Sequence, residues 1–293
     1  MTTGARKESP ALAPPRVDVV VNNYNYAPYL RAAIDSALAQ THPGTRVIVV
    51  DDGSTDESPA IIRSYADRIH AVFKANGGQA SAMNAGIASA EGDVILFLDA
   101  DDTLEPEATQ EVAEAFAREP GLARVHYRLG VMDSDGRRTG ETKPPGRLGL
   151  AHGDLAAATL RTPFDAAWLP TSGNAFAAWA LRRISPIPEG QYRLCADWYI
   201  VHVSSLLGPV AAIDAPLARY RMHGANGFSR PGGDHDLSHL GETVGYARIT
   251  RDHIHRIARQ GGTPHDARLT ASMCDVANRA VLLREGVATA GPR

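Results

Sequence analysis

Four short apolar runs alternate with helical patterns over the first hundred residues, and this alternation limits the fold more than any other feature. The runs cover residues 17–21, 47–50, 69–73 and 94–98. Apolar runs of this length indicate strands that are buried on both faces. Repeated strand–helix units with short links predict an α/β fold with a mostly parallel sheet flanked by helices.

Local signals place the helices between these strands. Pro28 opens a helical pattern, and Ser54 with Glu57 has capping-box spacing, which predicts that the second helix begins at Ser54. The second half is mixed. Strands are expected at 125–132, 211–213 and 217–222, a helix at 196–207, and two C-terminal helices near 237–259 and 267–285.

Composition excludes several classes of function. The formal charge is −3, with 30 basic and 33 acidic residues, so a broad nucleic-acid-binding surface is not expected. No run reaches the roughly 18–20 apolar residues of a membrane span, and the N-terminus lacks the apolar segment of a signal peptide. With two cysteines and no disulfide pattern, a cytoplasmic protein is expected.

Acidic residues follow two of the apolar runs directly. Asp99-Ala100-Asp101-Asp102 follows the fourth run, and Asp51-Asp52 follows the second. Ligands of parallel α/β sheets bind at the carboxyl ends of the strands. Ionised carboxylates beside a core are costly unless a cation neutralises them, which favours Mg²⁺ or Mn²⁺. Capping of the following turns is the alternative, and the fourth run alone does not decide between the two.

Several stretches together resemble the family 2 glycosyltransferases, which have the GT-A fold. They are residues 21–26 (VNNYNY), 36–41 (SALAQT), 50–56 (VDDGSTD), 76–80 (NGGQA), 84–86 (NAG) and 98–102 (LDADD). One departure is Asn22-Asn23, which stands where the family commonly has Pro-Thr. The resemblance implies a Rossmann-like, mostly parallel sheet, a mixed acceptor-side half and C-terminal helices.

The resemblance also implies residue roles on the donor side. Tyr24 and the backbone around Asn23 would hold the nucleobase, and Asp51 would bind its edge. Asp99 would face the ribose or the metal, and Asp101 would ligate the metal with His223 as a further ligand. The residues expected to bind the sugar nucleotide are Asn23, Tyr24, Asn25, Asp51, Asp52, Asn76, Gly77, Gln79, Asp99, Ala100, Asp101 and Arg221.

On the acceptor side, the resemblance implies a catalytic carboxylate and a glycine-containing loop. Asp197 would take the proton from the acceptor hydroxyl and give inversion at the anomeric carbon, although Ala196 replaces the glutamate that often precedes this aspartate. A helix N-cap is the alternative role for Asp197. The residues expected on the acceptor side are Ser172, Gly173, Asn174 and Trp198.

Four segments, a cofactor and a set of partners follow from these assignments. Residues 1–16 would be a flexible tail, 17–128 the nucleotide-sugar-binding half, 129–232 the acceptor-binding and catalytic half, and 233–293 a helical segment. The cofactor would be Mn²⁺ or Mg²⁺, and the donor a nucleoside-diphosphate sugar, with UDP favoured. The acceptor is a saccharide, a lipid-linked glycan or a small molecule. A basic stripe in the C-terminal helix indicates a solvated face more strongly than a peripheral membrane contact.

Three other functions fit parts of the pattern. The sequence from Asp99 to Thr103 fits the nucleophile motif of haloacid-dehalogenase phosphohydrolases, although three strand–helix units precede it here. A nucleotidyltransferase would need a basic glycine-rich loop after the first strand, and a Rossmann dehydrogenase would need its glycine fingerprint there. A non-catalytic sugar-nucleotide-binding protein is the third alternative.

Overall fold

The computed structural model describes residues 14–164, 169–224, 226 and 237–261. Its strands are β1 (Val17–Asn23), β2 (Thr45–Asp51), β3 (His70–Phe73), β4 (Val94–Asp99), β5 (Thr103–Leu104), β6 (Arg124–Met132), β7 (Arg138–Lys143), β8 (Asn174–Ala177) and β9 (Val210–Arg221). Its helices are α1 (Ala27–Leu38), α2 (Ser58–Arg63), α3 (Gln79–Ser89), α4 (Ala108–Arg118), α5 (Ala156–Arg161), α6 (Ala178–Ile184), α7 (Ala196–Ser204) and α8 (Leu237–Gln260).

The strands form one mixed sheet in the order β3-β2-β1-β4-β8-β6-β9-β5, and β7 pairs with the second half of β6 outside this order. β1 to β4 are parallel to one another, β8 is antiparallel to β4 and β6, and β9 runs parallel to β6. The predicted α/β class, with a parallel first half and a mixed second half, is therefore confirmed.

The apolar runs are continuous because the sheet has a core on each face. Val19 and Val21 of β1 contact the core that contains α1, whereas Val20 contacts the core that contains α3, α6 and α7. All three valines are fully buried. Successive residues of a strand point to opposite faces, so a strand covered on both sides needs apolar residues at every position.

The register of the parallel strands brings their polar ends to one edge. Asn23 pairs with Asp51 of β2, and Asn22 pairs with Asp99 of β4. Loops that follow these three strands therefore meet over a common edge, which is where a ligand site was expected.

The start of α2 corrects one prediction. The helix begins at Ser58, and the carboxylate of Asp56 accepts the backbone N–H of Ser58 at 2.9 Å. The other oxygen of Asp56 accepts the N–H of Ala27 at 2.9 Å, at the start of α1. Ser54 does not cap a helix, because its hydroxyl instead accepts the backbone N–H of Asn25 at 2.9 Å.

A second correction concerns β9. Two short strands were expected at 211–213 and 217–222, but one strand spans both because it pairs with β6 along its length. A register shift near Arg128 and Pro216 absorbs the intervening residues. β6 also crosses the predicted boundary between residues 128 and 129, so the proposed halves share one sheet.

The C-terminal segment is described only in part. α8 matches the first expected C-terminal helix, and the second, near 267–285, lies outside the described residues, as does most of the N-terminal tail. His255, expected within the basic stripe, is 6% exposed, so this stripe is not a uniformly solvated face. Across the described ranges, the helices lack the combination of length and apolar content that spanning a bilayer requires.

Candidate functional site

Asp51 ends β2 inside a polar pocket. Its Oδ1 accepts the side-chain amide of Asn23 at 2.8 Å, and its Oδ2 accepts the backbone N–H of Ser54 at 3.1 Å. The residue is 2% exposed. These donors fix the orientation of the carboxylate at the strand end, where it was expected to meet the edge of a nucleobase.

The loop after β1 is tied to the loop after β2. Asn25 adopts a left-handed backbone with φ 57°, and its Oδ1 accepts the N–H of Thr55 at 2.7 Å. Ser54 accepts hydrogen bonds from this loop at the backbone N–H of Asn25 and the side chain of Asn23. Tyr24 between them is 46% exposed, so its ring is accessible for stacking on a base.

Asp52 organises the next loop. Its carboxylate accepts Lys74 Nζ at 2.6 Å, the Asn76 side chain at 3.1 Å, and the N–H groups of Gly77 and Gly78 at 3.0 and 2.7 Å. The predicted nucleotide contacts at Asp52, Asn76 and Gly77 therefore form one hydrogen-bonded network. Their direct contact with a ligand stays a prediction.

Gly53 permits the close approach of these loops. Its φ is +77°, and an added Cβ would lie 2.6 Å from the backbone nitrogen of Asn76. Both observations require glycine, because a left-handed backbone disfavours other residues and the neighbour is backbone that cannot move aside.

Asp101 lies beside His223. The Nε2 atom of His223 is 3.0 Å from Oδ2 of Asp101, and the two side chains are 4% and 14% exposed. The imidazole stacks on Tyr29 with ring centroids 4.9 Å apart and meets Tyr26 edge-on at 5.8 Å. These aromatic contacts hold the ring in place beside the carboxylate.

This pair fits two adjacent ligands of one divalent cation. The two atoms are at hydrogen-bonding distance from each other. Neighbouring ligands of an octahedral ion, each about 2.1 Å from it, lie about 3.0 Å apart, so a cation could replace this hydrogen bond with little movement of the side chains. Within the described ranges, no cluster of three or more acidic, histidine or cysteine side chains forms a complete cation site. A site with two protein ligands is the arrangement that Mg²⁺ and Mn²⁺ use when substrate phosphates and water complete the shell.

The three acids of the Asp99–Asp102 turn are crowded, with Asp102 buried and Asp99 and Asp101 partly exposed. Burial raises the pKa of Asp99 well above its ordinary value, and repulsion from Asp101 and Asp197 adds to the increase. Burial likewise raises the pKa of Asp102, with repulsion from Asp101 and Asp99. Such crowding is the electrostatic condition that a bound cation would relieve. Ala100 within this turn is 3% exposed and belongs to the core.

Gln79 connects the acidic turn to the helix that carries Asp197. Its Oε1 accepts the N–H of Ala196 at 2.8 Å at the start of α7, and its Nε2 donates to Thr171 Oγ1 at 3.4 Å. Its side chain also hydrogen-bonds Asp99 and lowers the pKa of that carboxyl. The observed contacts of Gln79 position other groups, and its expected contact with the sugar nucleotide stays a prediction.

Asp197 lies in the first turn of α7 and is 8% exposed. Burial raises its pKa to about 6, and backbone hydrogen bonds from Trp198, Asp197 itself and Thr171 oppose this rise. The N-cap position belongs to Cys195, so Asp197 is not the cap that the alternative required. A carboxylate with a pKa near neutrality is suited to accept a proton at physiological pH.

The loop at 171–174 is interior. Ser172 Oγ accepts the backbone N–H of Asp99 at 3.1 Å. Asn174 is fully buried, donates to the carbonyls of Leu169 and Pro170, and accepts from Arg124. An added Cβ at Gly173 would lie 3.0 Å from Leu169, so this position is tightly packed. Contact between this loop and an acceptor stays a prediction.

Trp198 and Arg221 also have partners inside the protein. Trp198 is 3% exposed and contacts Phe164 and His202, with ring centroids 5.2 and 5.8 Å away.

The guanidinium of Arg221 donates to the carbonyls of Asp101 at 2.8 Å and Ser134 at 3.1 Å. Arg221 therefore stabilises the conformation of the acidic turn. Its predicted pairing with phosphate stays a prediction.

Sequence reasoning missed three contributors to this edge. Ser54 was interpreted as a helix cap, although it connects the loops that follow β1 and β2. Tyr26 and Tyr29, which surround His223, were not singled out. Their three-residue spacing at the start of α1 places them on one helix face, which is the signal that could have identified them.

The chain is similar to known proteins in sequence and fold. The profile described as glycosyl transferase family 2 matches residues 18–160. An uncharacterized glycosyltransferase of Nostoc sp. is 38% identical over 215 residues, which cover 72% of this chain and 66% of that protein. Just under two thirds of that relative's length is therefore matched.

Solved structures share the architecture. Residues 1–349 of Staphylococcus aureus TarS in complex with UDP align with a TM-score of 0.56 and 19% identity, over 92% of both chains. The mannosyltransferase PcManGT from Pyrobaculum calidifontis, in complex with GDP-Man and Mn²⁺, aligns with a TM-score of 0.52 and 20% identity, over 98% of this chain and 81% of that one. The fold is thus that of the GT-A glycosyltransferases. The profile and the sequence relatives identify residues 18–160 as a glycosyltransferase family 2 domain.

Proposed function

We propose that this chain transfers a sugar from a nucleoside-diphosphate sugar to an acceptor hydroxyl, with inversion at the anomeric carbon. The observation that carries the proposal is the Asp101–His223 pair, 3.0 Å apart at the sheet edge where β2 ends in Asp51. Family membership supports glycosyl transfer over the phosphohydrolase alternative.

Donor recognition would use the loops after β1 and β2. The oriented carboxylate of Asp51 would accept a hydrogen bond from the base, and the exposed ring of Tyr24 would stack on it. UDP is the favoured nucleotide, and TarS structures with UDP and with UDP-GlcNAc support it. The GDP-Man complex of PcManGT shows that the same fold also accepts guanine, so base identity needs a direct test.

Asp101 and His223 would hold Mn²⁺ or Mg²⁺ when the donor binds. The cation would stabilise the negative charge that develops on the departing diphosphate. Tyr29 and Tyr26 keep the imidazole oriented toward Asp101, and Arg221 fixes the main chain of the acidic turn.

Asp197 would remove the proton from the acceptor hydroxyl as the hydroxyl oxygen attacks the anomeric carbon. With a pKa of about 6, the Asp197 side chain is mostly ionised at pH 7. It is also a stronger base than an exposed aspartate, whose pKa is lower. The charge of Asp197 adds to the rise in the pKa of Asp99, which supports the proposal that the base and the acidic turn act in one site.

The experiment measures binding and turnover separately. Calorimetry with UDP, GDP and their sugar conjugates, with and without Mn²⁺, is expected to show tighter binding of one nucleotide with the cation. Asp101→Asn should remove this Mn²⁺ dependence, whereas the exposed Asp67→Asn control should keep it.

Turnover distinguishes an enzyme from a binding protein. Release of the nucleoside diphosphate from the donor that binds, with or without an added saccharide acceptor, is the expected result. Binding with no release across a panel of acceptors would contradict the proposal and favour a non-catalytic sugar-nucleotide-binding protein. A cytoplasmic location remains part of the proposal.

A further inference from the structure

β6 carries three basic side chains at alternate positions, Arg124, His126 and Arg128. Alternate residues of a strand share a face. The three residues are 3%, 1% and 4% exposed. Two of them, Arg124 and His126, border a cleft formed with α5 and α7.

Arg128, the third of these residues, has a carboxylate among its partners. Its Nε donates to Oδ1 of Asp214 at 2.7 Å, and its other nitrogens donate to the carbonyls of Pro144 and Leu148 at 3.0 and 2.7 Å. The positive charge thus has a carboxylate partner, as buried charges generally require.

Arg124 differs from Arg128 because its partners in the described part of the chain are neutral. It donates to Nδ1 of His126 at 3.1 Å, Oδ1 of Asn174 at 2.9 Å and Oγ of Ser205 at 3.3 Å. Its Nε is buried and has no hydrogen-bond partner within the described ranges. Burial lowers the pKa of Arg124 to about 9, which leaves the guanidinium charged at neutral pH.

His126 does not compensate this charge. Its Nε2 donates to the carbonyl of Ala151 at 2.8 Å, so its Nδ1 is the lone pair that accepts from Arg124. Burial and the neighbouring guanidinium lower the pKa of His126 to about 3, so the ring is neutral. The same causes lower the pKa of His202, across the cleft, to about 4.

The cleft beside Arg124 has a volume of about 70 Å³ and is partly open to solvent. Thr159, Thr162 and Ser205 line it. The Ser205 hydroxyl donates to the carbonyl of Val201 at 3.0 Å, so the two threonines are the hydroxyl donors considered for a ligand. A charged guanidinium with adjacent hydroxyl donors is the chemistry that binds phosphate, sulfate or carboxylate groups.

We propose that this cleft is a binding site for a small oxyanion, with Arg124 as its charged partner and Thr159 and Thr162 as hydroxyl donors. It is distinct from the proposed donor site. Phe176 pairs with both Arg124 and Ile95, so Arg124 lies level with the beginning of β4, four residues from Asp99 at its end. That separation is about 13 Å along the strand.

Asn174 connects the two sites physically. It accepts from Arg124 and anchors the loop whose Ser172 accepts the backbone N–H of Asp99. An anion bound to Arg124 would therefore contact a residue that hydrogen-bonds Asn174, and Asn174 in turn holds the loop that hydrogen-bonds the acidic turn.

Calorimetry at constant ionic strength, without divalent cations, tests the site with sodium phosphate, sulfate and acetate. Binding of phosphate or sulfate would show that the site accepts a tetrahedral anion, and binding of acetate would show that it accepts a carboxylate. The wild-type protein should bind at least one of them, and Arg124→Gln should weaken that binding at least tenfold. The exposed Arg183→Gln control should not change it. Asp101→Asn should also retain it, because the donor site is separate.

Two further variants keep the test decisive. If Arg124→Gln does not fold, Thr159→Val removes a single hydroxyl and should weaken binding several-fold in a folded protein. Asp165 lies outside the described residues, and Asp165→Asn tests whether this carboxylate is the partner of Arg124. Anion binding that appears only in Asp165→Asn would overturn the proposal, as would wild-type affinity in Arg124→Gln or no binding by the wild-type protein.

Discussion

His223 Nε2 lies 3.0 Å from Asp101 Oδ2, although the two residues are 122 positions apart in the chain. Pairing of β5 with β9 aligns Thr103 with Arg219 and brings the end of β9 to the acidic turn. The backbone N–H of Arg221 then donates to Asp102 Oδ1 at 2.9 Å, which fixes His223 two residues later. The pairing of β5 with β9 thus brings Asp101 and His223, the two proposed cation ligands, together.

Removing either member of this pair should weaken cation-assisted nucleotide binding. We expect His223→Ala and Asp101→Asn each to reduce UDP affinity in Mn²⁺ by about 10–100-fold, because the cation loses one of two protein ligands. Titration of UDP over a series of Mn²⁺ concentrations measures the effect. The control is His70→Ala, an exposed histidine at the start of β3. An unchanged Mn²⁺ dependence in His223→Ala would exclude this residue as a ligand.

The rate of transfer should depend on the protonation of Asp197. Burial raises its pKa to about 6, and a general base must be ionised, so kcat/KM should be highest above pH 6 and fall as the pH decreases through that value. Asp197→Asn should lower kcat by about 10²–10⁴-fold and remove this acid limb. Donor affinity measured by calorimetry should be retained. A variant with normal turnover would show that another group is the base.

The same carboxylate should reduce stability at neutral pH. Its pKa is about 6 in the folded protein and about 3.9 when unfolded, so the folded state binds more protons between these values. Stability is therefore lost as the pH rises through this window. At pH 7.5 the cost is about 2–3 kcal/mol.

Asp197→Asn should recover this free energy of unfolding at pH 7.5 and give little gain at pH 4. Urea unfolding at the two pH values measures the difference. Equal stability of wild type and variant at pH 7.5 would contradict the raised pKa. A variant that is more stable but inactive would also show that loss of activity does not arise from misfolding.

Asp51 should determine nucleobase affinity without changing the response to cation. A hydrogen bond to a charged group contributes about 1.5–3 kcal/mol, so Asp51→Asn should weaken UDP binding by about 10–150-fold. The ratio of UDP affinities with and without Mn²⁺ should stay as in wild type, since Asp101 and His223 are unaltered. A change in that ratio would mean that Asp51 acts on the cation site and not on the base.

The parallel strands, and the meeting of the acidic residues at one edge of the sheet, were predictable because they depend on local pattern. Continuous apolar runs occur where both faces of a strand are buried, and acids directly after them mark the strand ends. The role of Ser54 was not predictable, because its spacing to Glu57 also fits a helix cap and its actual partner is Asn25. The buried state of Asn174 depends likewise on Arg124, 50 positions away, and no local sequence signal reports such contacts.

Asp52 should contribute mainly to stability, in contrast to its neighbour Asp51. It is 2% exposed and accepts hydrogen bonds from Lys74, Asn76 and two backbone N–H groups. Asp52→Asn removes the charge and replaces one acceptor oxygen with a donor, which leaves Lys74 without its carboxylate partner.

Because breaking a buried ion pair on one side costs about 3–5 kcal/mol and Lys74 is 23% exposed, we expect the variant to lose about 2–3 kcal/mol in urea unfolding. Asp67→Asn, at an exposed acid, should be within about 0.5 kcal/mol of wild type. UDP affinity of the folded variant should fall less than in Asp51→Asn, because the Asp51 carboxylate keeps its donors Asn23 and Ser54. If Asp52→Asn instead kept full stability and lost nucleotide binding, Asp52 would contact the ligand directly, as first expected from the sequence.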